Sequence, residues 1–356
     1  MSKVSLKQLR KAAVGHSLFP AISINEAIAR LGFVQADPIR APAAAQDLIL
    51  RPRAQNYRAG DLEREYARLE VEEDFLYAYG FLPRQVWRLL HPRRTEKMDR
   101  LEKSVLQAVL ANGCMHPREL ESCFGSERVV NAWGGYSKAT TRALERLHFR
   151  GLLRVARREK GVRIYEDASP YHDPVVEHER LKHLALLVAN IFGPCPRKSL
   201  QEALNRLRHS VPRPLELRSI LAELLSEGEL SGGTFDDMDY VWPANLRLDR
   251  WEAPETVTFL APFDPVVWDR LRFEHLWGWA YRFEAYTPIA KRIRGYYAMP
   301  LLYRDSVIGW INITGSKGKL SFAPGFVEKR PKEKQFKALL DQEMQRMATF
   351  LDSRPA

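Results

Sequence analysis

Cysteine is scarce in this 356-residue chain: only Cys114, Cys123 and Cys195 occur, odd in number and widely spaced. No CxxC or CxxH pair exists, so a disulfide framework is excluded and a zinc site lacks its ligand spacing. His178 and His183 are five residues apart and share a helix face poorly. The expectation is therefore a chain with no metal and no cofactor. Long apolar runs are also missing. None approaches the roughly 20 residues that a membrane helix needs. The opening MSKVSLKQLRKA reads as an amphipathic helix without the apolar stretch of a signal peptide. A cytoplasmic protein without membrane contact is expected.

What the chain has in excess is positive charge. Its 55 basic residues against 44 acidic ones leave a net +11. Of the basic residues 39 are arginine, the side chain suited to bidentate phosphate contact. Such a surplus favours a polyanionic partner. A GC-rich genome also enriches arginine, so placement has to decide what total charge cannot.

The chain reads as mainly α with β, and it divides into four parts. In residues 99–172, LEKSVLQAVLANG, HPRELESCF and SKATTRALERLHFRG are three successive helices, with Pro117 in the first turn of the second and Ser137 as cap of the third. LLRVARREKGVRIYEDA then alternates around a turn at Glu159–Gly161. Helix, helix, helix, hairpin is the winged-helix order. Residues 173–252 repeat it with ERLKHLALLVANIFG, PRKSLQEALNRL, PLELRSILAELLSEG and the hairpin ELSGGTFDDMDYVW. Residues 1–98 are expected to hold a more divergent first winged-helix unit, in which SINEAIARLG is a helix capped by Ser23 and stopped by Gly32. Residues 253–356, rich in Val, Ile, Phe, Tyr and Trp between Pro and Gly, predict a small β-barrel and a terminal amphipathic helix.

Basic residues concentrate on the second unit. Lys138, Arg142 and Arg146 fall on one side of its third helix, opposite Ala143, Leu144 and Leu147. The hairpin that follows carries Arg154, Arg157, Arg158 and Arg163. A basic helix with a basic wing suits contact with a duplex backbone, although a solvated charged face explains most amphipathic helices. The third unit's hairpin carries Asp236, Asp237 and Asp239 and is expected to be scaffold. Further DNA contacts are expected at Arg40, Arg51 and Arg53, and at Lys291, Arg292 and Arg294. Candidate chemistry lies at LGFVQADPIR, where Gln35 and Asp37 stand one residue apart. On an extended segment such residues face the same way. A carboxylate there can stabilise a sugar cation and accept a proton from water, and the amide can hold that water. Asp before Pro is also a common turn.

Gln35-Ala36-Asp37 after LGFV resembles the catalytic Gln–aliphatic–Asp signature of bacterial crosslink-unhooking DNA glycosylases, the AlkZ/YcaQ family. DFLYAYGFLP (Asp74–Pro83) resembles that family's helix ending in Leu-Pro, and LAPFDPVVWDR and YTPIAKRIRGYYAMPLLYRDSVIG resemble its C-terminal blocks. The resemblance implies a monofunctional glycosylase without a lyase step, acting on N7-alkylguanine and on interstrand crosslinks in double-stranded DNA. It implies Asp37 as the essential carboxylate and Gln35 as the group that positions water. Tyr77-Ala78-Tyr79 stands where many members carry a histidine-containing run, and Trp277-Gly278-Trp279 is atypical. A monomer, bound at the nucleoid, is expected. The alternative is a non-catalytic winged-helix regulator, which needs the basic surface but not the Gln–Asp pair.

Overall fold

The computed structural model describes residues 4–91, 93, 97–130, 134–171, 176–211, 214–316, 319–352 and 354–355. Met1–Lys3 of the expected first helix and Ser353 at the end of the last lie outside these. The fold is mixed α/β. No helix among the described residues is long and apolar enough to cross a membrane.

Local chemistry sets the early elements. Ser5 with Gln8, and Ser23 with Glu26, form reciprocal capping boxes on the helices Leu6–Ser17 and Ile24–Leu31. Gly32 ends the second helix in the left-handed region at φ 74°, where a Cβ would also strike Leu187 at 2.4 Å. The chain then enters the strand Val34–Gln35, which forms one edge of a three-stranded sheet with Tyr79–Pro83 and Val71–Phe75. Here the structure corrects the helix expected over Asp74–Pro83. The segment is part of a hairpin, in which Val71–Phe75 and Tyr79–Pro83 pair antiparallel and Gly80 admits the neighbouring backbone. A Cβ on Gly80 would lie 2.4 Å from the Val34 carbonyl oxygen.

The helices Arg100–Asn112, Pro117–Phe124 and Ala139–Phe149 precede the hairpin Leu153–Glu159/Val162–Asp167. Lys160 and Gly161, both at positive φ, make its turn. A short hairpin, Arg128–Val130/Tyr136–Lys138, intervenes before the third helix. Glu177–Phe192, Arg197–Arg206, Ile220–Ser226 and the hairpin Leu230–Phe235/Met238–Pro243 follow in the same sequence.

The C-terminal strands form one sheet, in the order Val257–Phe259, Met299–Tyr303, Ser306–Ser316, Lys319–Phe326 and Arg354–Pro355. Among the described residues its first and last strands do not pair, so the sheet is open. The helix Lys334–Phe350 lies against the first strand, and its Phe336, Leu340 and Met347 join Val257 and Phe259 in one buried cluster. Helix burial does the work that strand closure does in a barrel.

That cluster also takes in Leu48, Ile49 and Leu50 near the N-terminus and Leu144 and Leu147 of the middle helix. Segments far apart in sequence are thus fastened together. Arg53 and Asp264, both with no exposed side-chain surface, form a bidentate ion pair at 2.7 and 2.9 Å. Asp264 also caps the short helix Pro265–Trp268.

Candidate active site

Gln35 pairs with Gly80 across the sheet, and the N–H of Ala36 donates to the Tyr79 carbonyl at 2.9 Å. Beyond that bond the chain leaves the sheet at Asp37-Pro38. Both Gln35 and Asp37 are half-buried.

The Gln35 Oε1 accepts a hydrogen bond from Trp268 Nε1 at 2.9 Å. An indole can only donate, so this contact sets which way the amide faces. Among the described residues one lone pair of Oε1 and the amide N–H groups remain for a further partner. Trp268 is itself held. Its ring stacks on Phe192 at 4.6 Å and meets Tyr77 edge-on at 5.3 Å, with the Arg206 guanidinium 5.3 Å from its centroid. Tyr77 therefore supports the wall behind Gln35. Trp277 and Trp279 donate their indole N–H groups to the carbonyls of Asp305 and Val307 and are structural.

One Asp37 oxygen accepts the N–H of Ile39 at 2.9 Å, the Asx turn that the Asp-Pro pair allows. Exposed Tyr286 stands near the same carboxyl and bears on its titration. Burial pushes the carboxyl above its ordinary value, and the Ile39 N–H and Tyr286 pull it partly back. Tyr297 completes the surround. Burial and the nearby Asp37 charge raise its phenol, and its buried hydroxyl has no hydrogen-bond partner among the described residues. Phe283 packs edge-on against both Tyr286 and Tyr297. The turn role and an accessible carboxyl thus coexist at Asp37.

The expected basic residues divide. Arg40 and Lys291 are exposed and Arg292 half-buried. Of these, Lys291 and Arg292 share the segment that carries Tyr286. Arg142 is exposed, donating to the Val130 carbonyl, and Arg146 retains about a third of its surface while paired with Glu102 and Asp99. Lys138 is partly exposed and bridges Glu121. Arg157 is exposed and paired with Glu159.

The side chains of Arg51, Arg53 and Arg154 are buried, which corrects the expectation for these three, whereas Arg158, Arg163 and Arg294 are half-buried and engaged internally. Arg53 is fully buried on Asp264, and Arg51 is sequestered by Glu343 and the Phe259 carbonyl. Arg294 lies against Trp279 and Trp310 and donates to the Ala280 carbonyl. Arg154 is buried on Glu72, and Arg158 and Arg163 reach Glu73. Their hairpin packs against Val71–Phe75, whose buried Glu72 and Glu73 demand cations. Burial alone would raise Glu73, but Arg158 and Arg163 hold it below its ordinary value.

Sequence reasoning did not assign roles to Trp268, Tyr286 and Tyr297, though each lies within one of the two C-terminal blocks quoted above. The structure of Streptomyces sahachiroi DNA glycosylase AlkZ superposes on this chain with a TM-score of 0.70 at 14% identity, covering 99% of each. At that identity the likeness speaks for the fold. The model of the family described as DNA glycosylase AlkZ-like matches residues 28–350, nearly the whole sequence, and the chain belongs to that family.

Proposed function

We propose that the protein is a monofunctional glycosylase that hydrolyses the N-glycosidic bond of N7-alkylguanine in duplex DNA and unhooks interstrand crosslinks joined through such bases. The observation that carries this reading is the pairing at one edge of the first sheet. An amide oriented by Trp268 stands one residue from a half-buried carboxyl that an Asx turn holds in place.

N7 alkylation makes guanine a cationic base, and the C1′–N9 bond breaks with its electron pair passing to that base. The charge left on the sugar is stabilised by the Asp37 carboxylate. Water adds at C1′ and gives its proton to Asp37, while the free hydrogen-bonding capacity of Gln35 fixes the angle of approach. The alkylated base leaves neutral. No lysine is needed as a nucleophile, so no lyase step follows.

We further read the three helix–hairpin segments as winged-helix units, with Arg40, Lys138, Arg142, Arg146, Arg157, Lys291 and Arg292 as duplex-facing cations. The hairpin arginines tied to Glu72 and Glu73 fasten the second unit to the first. The test is release of N7-methylguanine from methylated duplex. Wild-type protein should release it without strand cleavage, and Asp37→Asn should lose on the order of 100- to 10,000-fold in rate. Binding without release would favour a regulator, and a wild-type rate in Asp37→Asn would remove this residue from the chemistry.

A further inference from the structure

The segment between the helix Arg270–Trp277 and the strand Met299–Tyr303 carries the two most exposed large hydrophobic side chains among the described residues. Ile289 is 80% exposed and Ile293 79%. Tyr286 and Tyr296 are exposed beside them.

These tips stand on a fixed stem. Buried Glu284 accepts the backbone N–H groups of Ile293, Arg294 and Gly295 at 2.9, 2.8 and 3.2 Å. Arg292 donates back to the Thr287 carbonyl at 2.8 Å, and Asn312 donates to the Arg294 carbonyl at 2.7 Å. Gly295, at φ +128°, lets Asn312 approach, since a Cβ would lie 2.4 Å from its side-chain oxygen. Two isoleucines displayed on such a stem bury their surface only against a partner, and the cost of ordering the loop has already been met.

The surroundings name the partner's chemistry. Arg282 and Lys291 are exposed on the same segment, which suits an anion, while the isoleucine tips suit an apolar slot. A duplex offers both, a phosphate rail and the gap between base steps. Tyr286, from the same segment, faces Asp37. We infer that Ile289 and Ile293 form a wedge that enters the base stack beside the damaged nucleotide and opens it toward Asp37. This rests on the glycosylase reading.

The test compares one N7-methylguanine in a fully paired duplex and in an unpaired bubble, where no stack has to be opened. In the Ile289→Ala/Ile293→Ala protein, kcat/KM on the duplex should fall by about tenfold or more relative to its fall on the bubble, because unstacking then lacks its wedge. Ile289→Leu/Ile293→Leu should restore most of the difference. Both residues are exposed, so folding should survive. Equal losses on the two substrates, or no loss on the duplex, overturns the wedge and leaves the glycosylase reading standing. If wild-type protein releases base from neither substrate, it is the glycosylase reading that fails. The wedge is then judged by 2-aminopurine in duplex DNA, whose fluorescence should rise on binding wild-type protein and not the alanine protein. No rise with wild type overturns it.

Discussion

Replacing Trp268 with Phe removes the indole N–H donor together with the smaller ring of the indole. The ring would still stack on Phe192 and meet Tyr77, so the wall behind the site remains. What disappears is the 2.9 Å bond to the Gln35 oxygen. A neutral hydrogen bond of this kind contributes about 1 kcal/mol net. If all of it serves to orient the amide in the transition state, the rate falls by about fivefold, since 1.4 kcal/mol is tenfold. The assay is single-turnover release of N7-methylguanine from duplex DNA, run on Trp268→Phe, Gln35→Ala and the double variant. Because the indole acts through the amide, Trp268→Phe should add nothing once Gln35 is gone. Losses that multiply would mean that Trp268 serves the reaction by another route, and the positioning role would be refuted.

Three other perturbations follow from the same geometry. In the proposed mechanism Asp37 works as the carboxylate, and burial makes it hold its proton more tightly than usual, so activity should be lost as pH falls through a value above the ordinary aspartate range. Tyr286→Phe removes a hydroxyl that favours the charged form, so the acid limb of the pH–rate profile should move to higher pH, and an unmoved limb would count against that contact. Arg142→Glu with Arg146→Glu should weaken binding to all duplexes and flatten the slope of log K against log salt by about 1.8, for two lost phosphate contacts; an unchanged slope, read by fluorescence anisotropy, moves the DNA surface elsewhere. Arg53→Met strands the fully buried Asp264 and should cost about 3–5 kcal/mol in urea unfolding. A loss under about 1 kcal/mol would show that the pair is not a brace.

Features governed by near neighbours were legible before any coordinates. The Ser23 cap, the Gly32 stop and the helices before each hairpin all depend on residues within a few positions of one another. Pairings across the chain were not. Arg154 and Arg158 looked free because period and charge describe only their own hairpin, whereas their partners Glu72 and Glu73 lie 82 and 85 residues earlier. The same limit hid Trp268 and Tyr286. An indole in a short helix and a tyrosine in an irregular segment carry no periodicity, and their meaning comes from the sheet edge that they face. The Gln35–Asp37 spacing could be read as chemistry or as a turn, and the backbone supplies the turn without consuming the second carboxylate oxygen.

The bond between Gln35 and Trp268 joins residues 233 positions apart, and the brace between Arg53 and Asp264 spans 211. A ribosome-bound chain that has emerged only as far as its third hairpin has made the amide and the carboxylate but not what aims them. A premature stop anywhere before Trp268 therefore leaves a fragment without the donor that orients the Gln35 amide. Both contacts can close only once the C-terminal third meets the segment from Gln35 to Arg53.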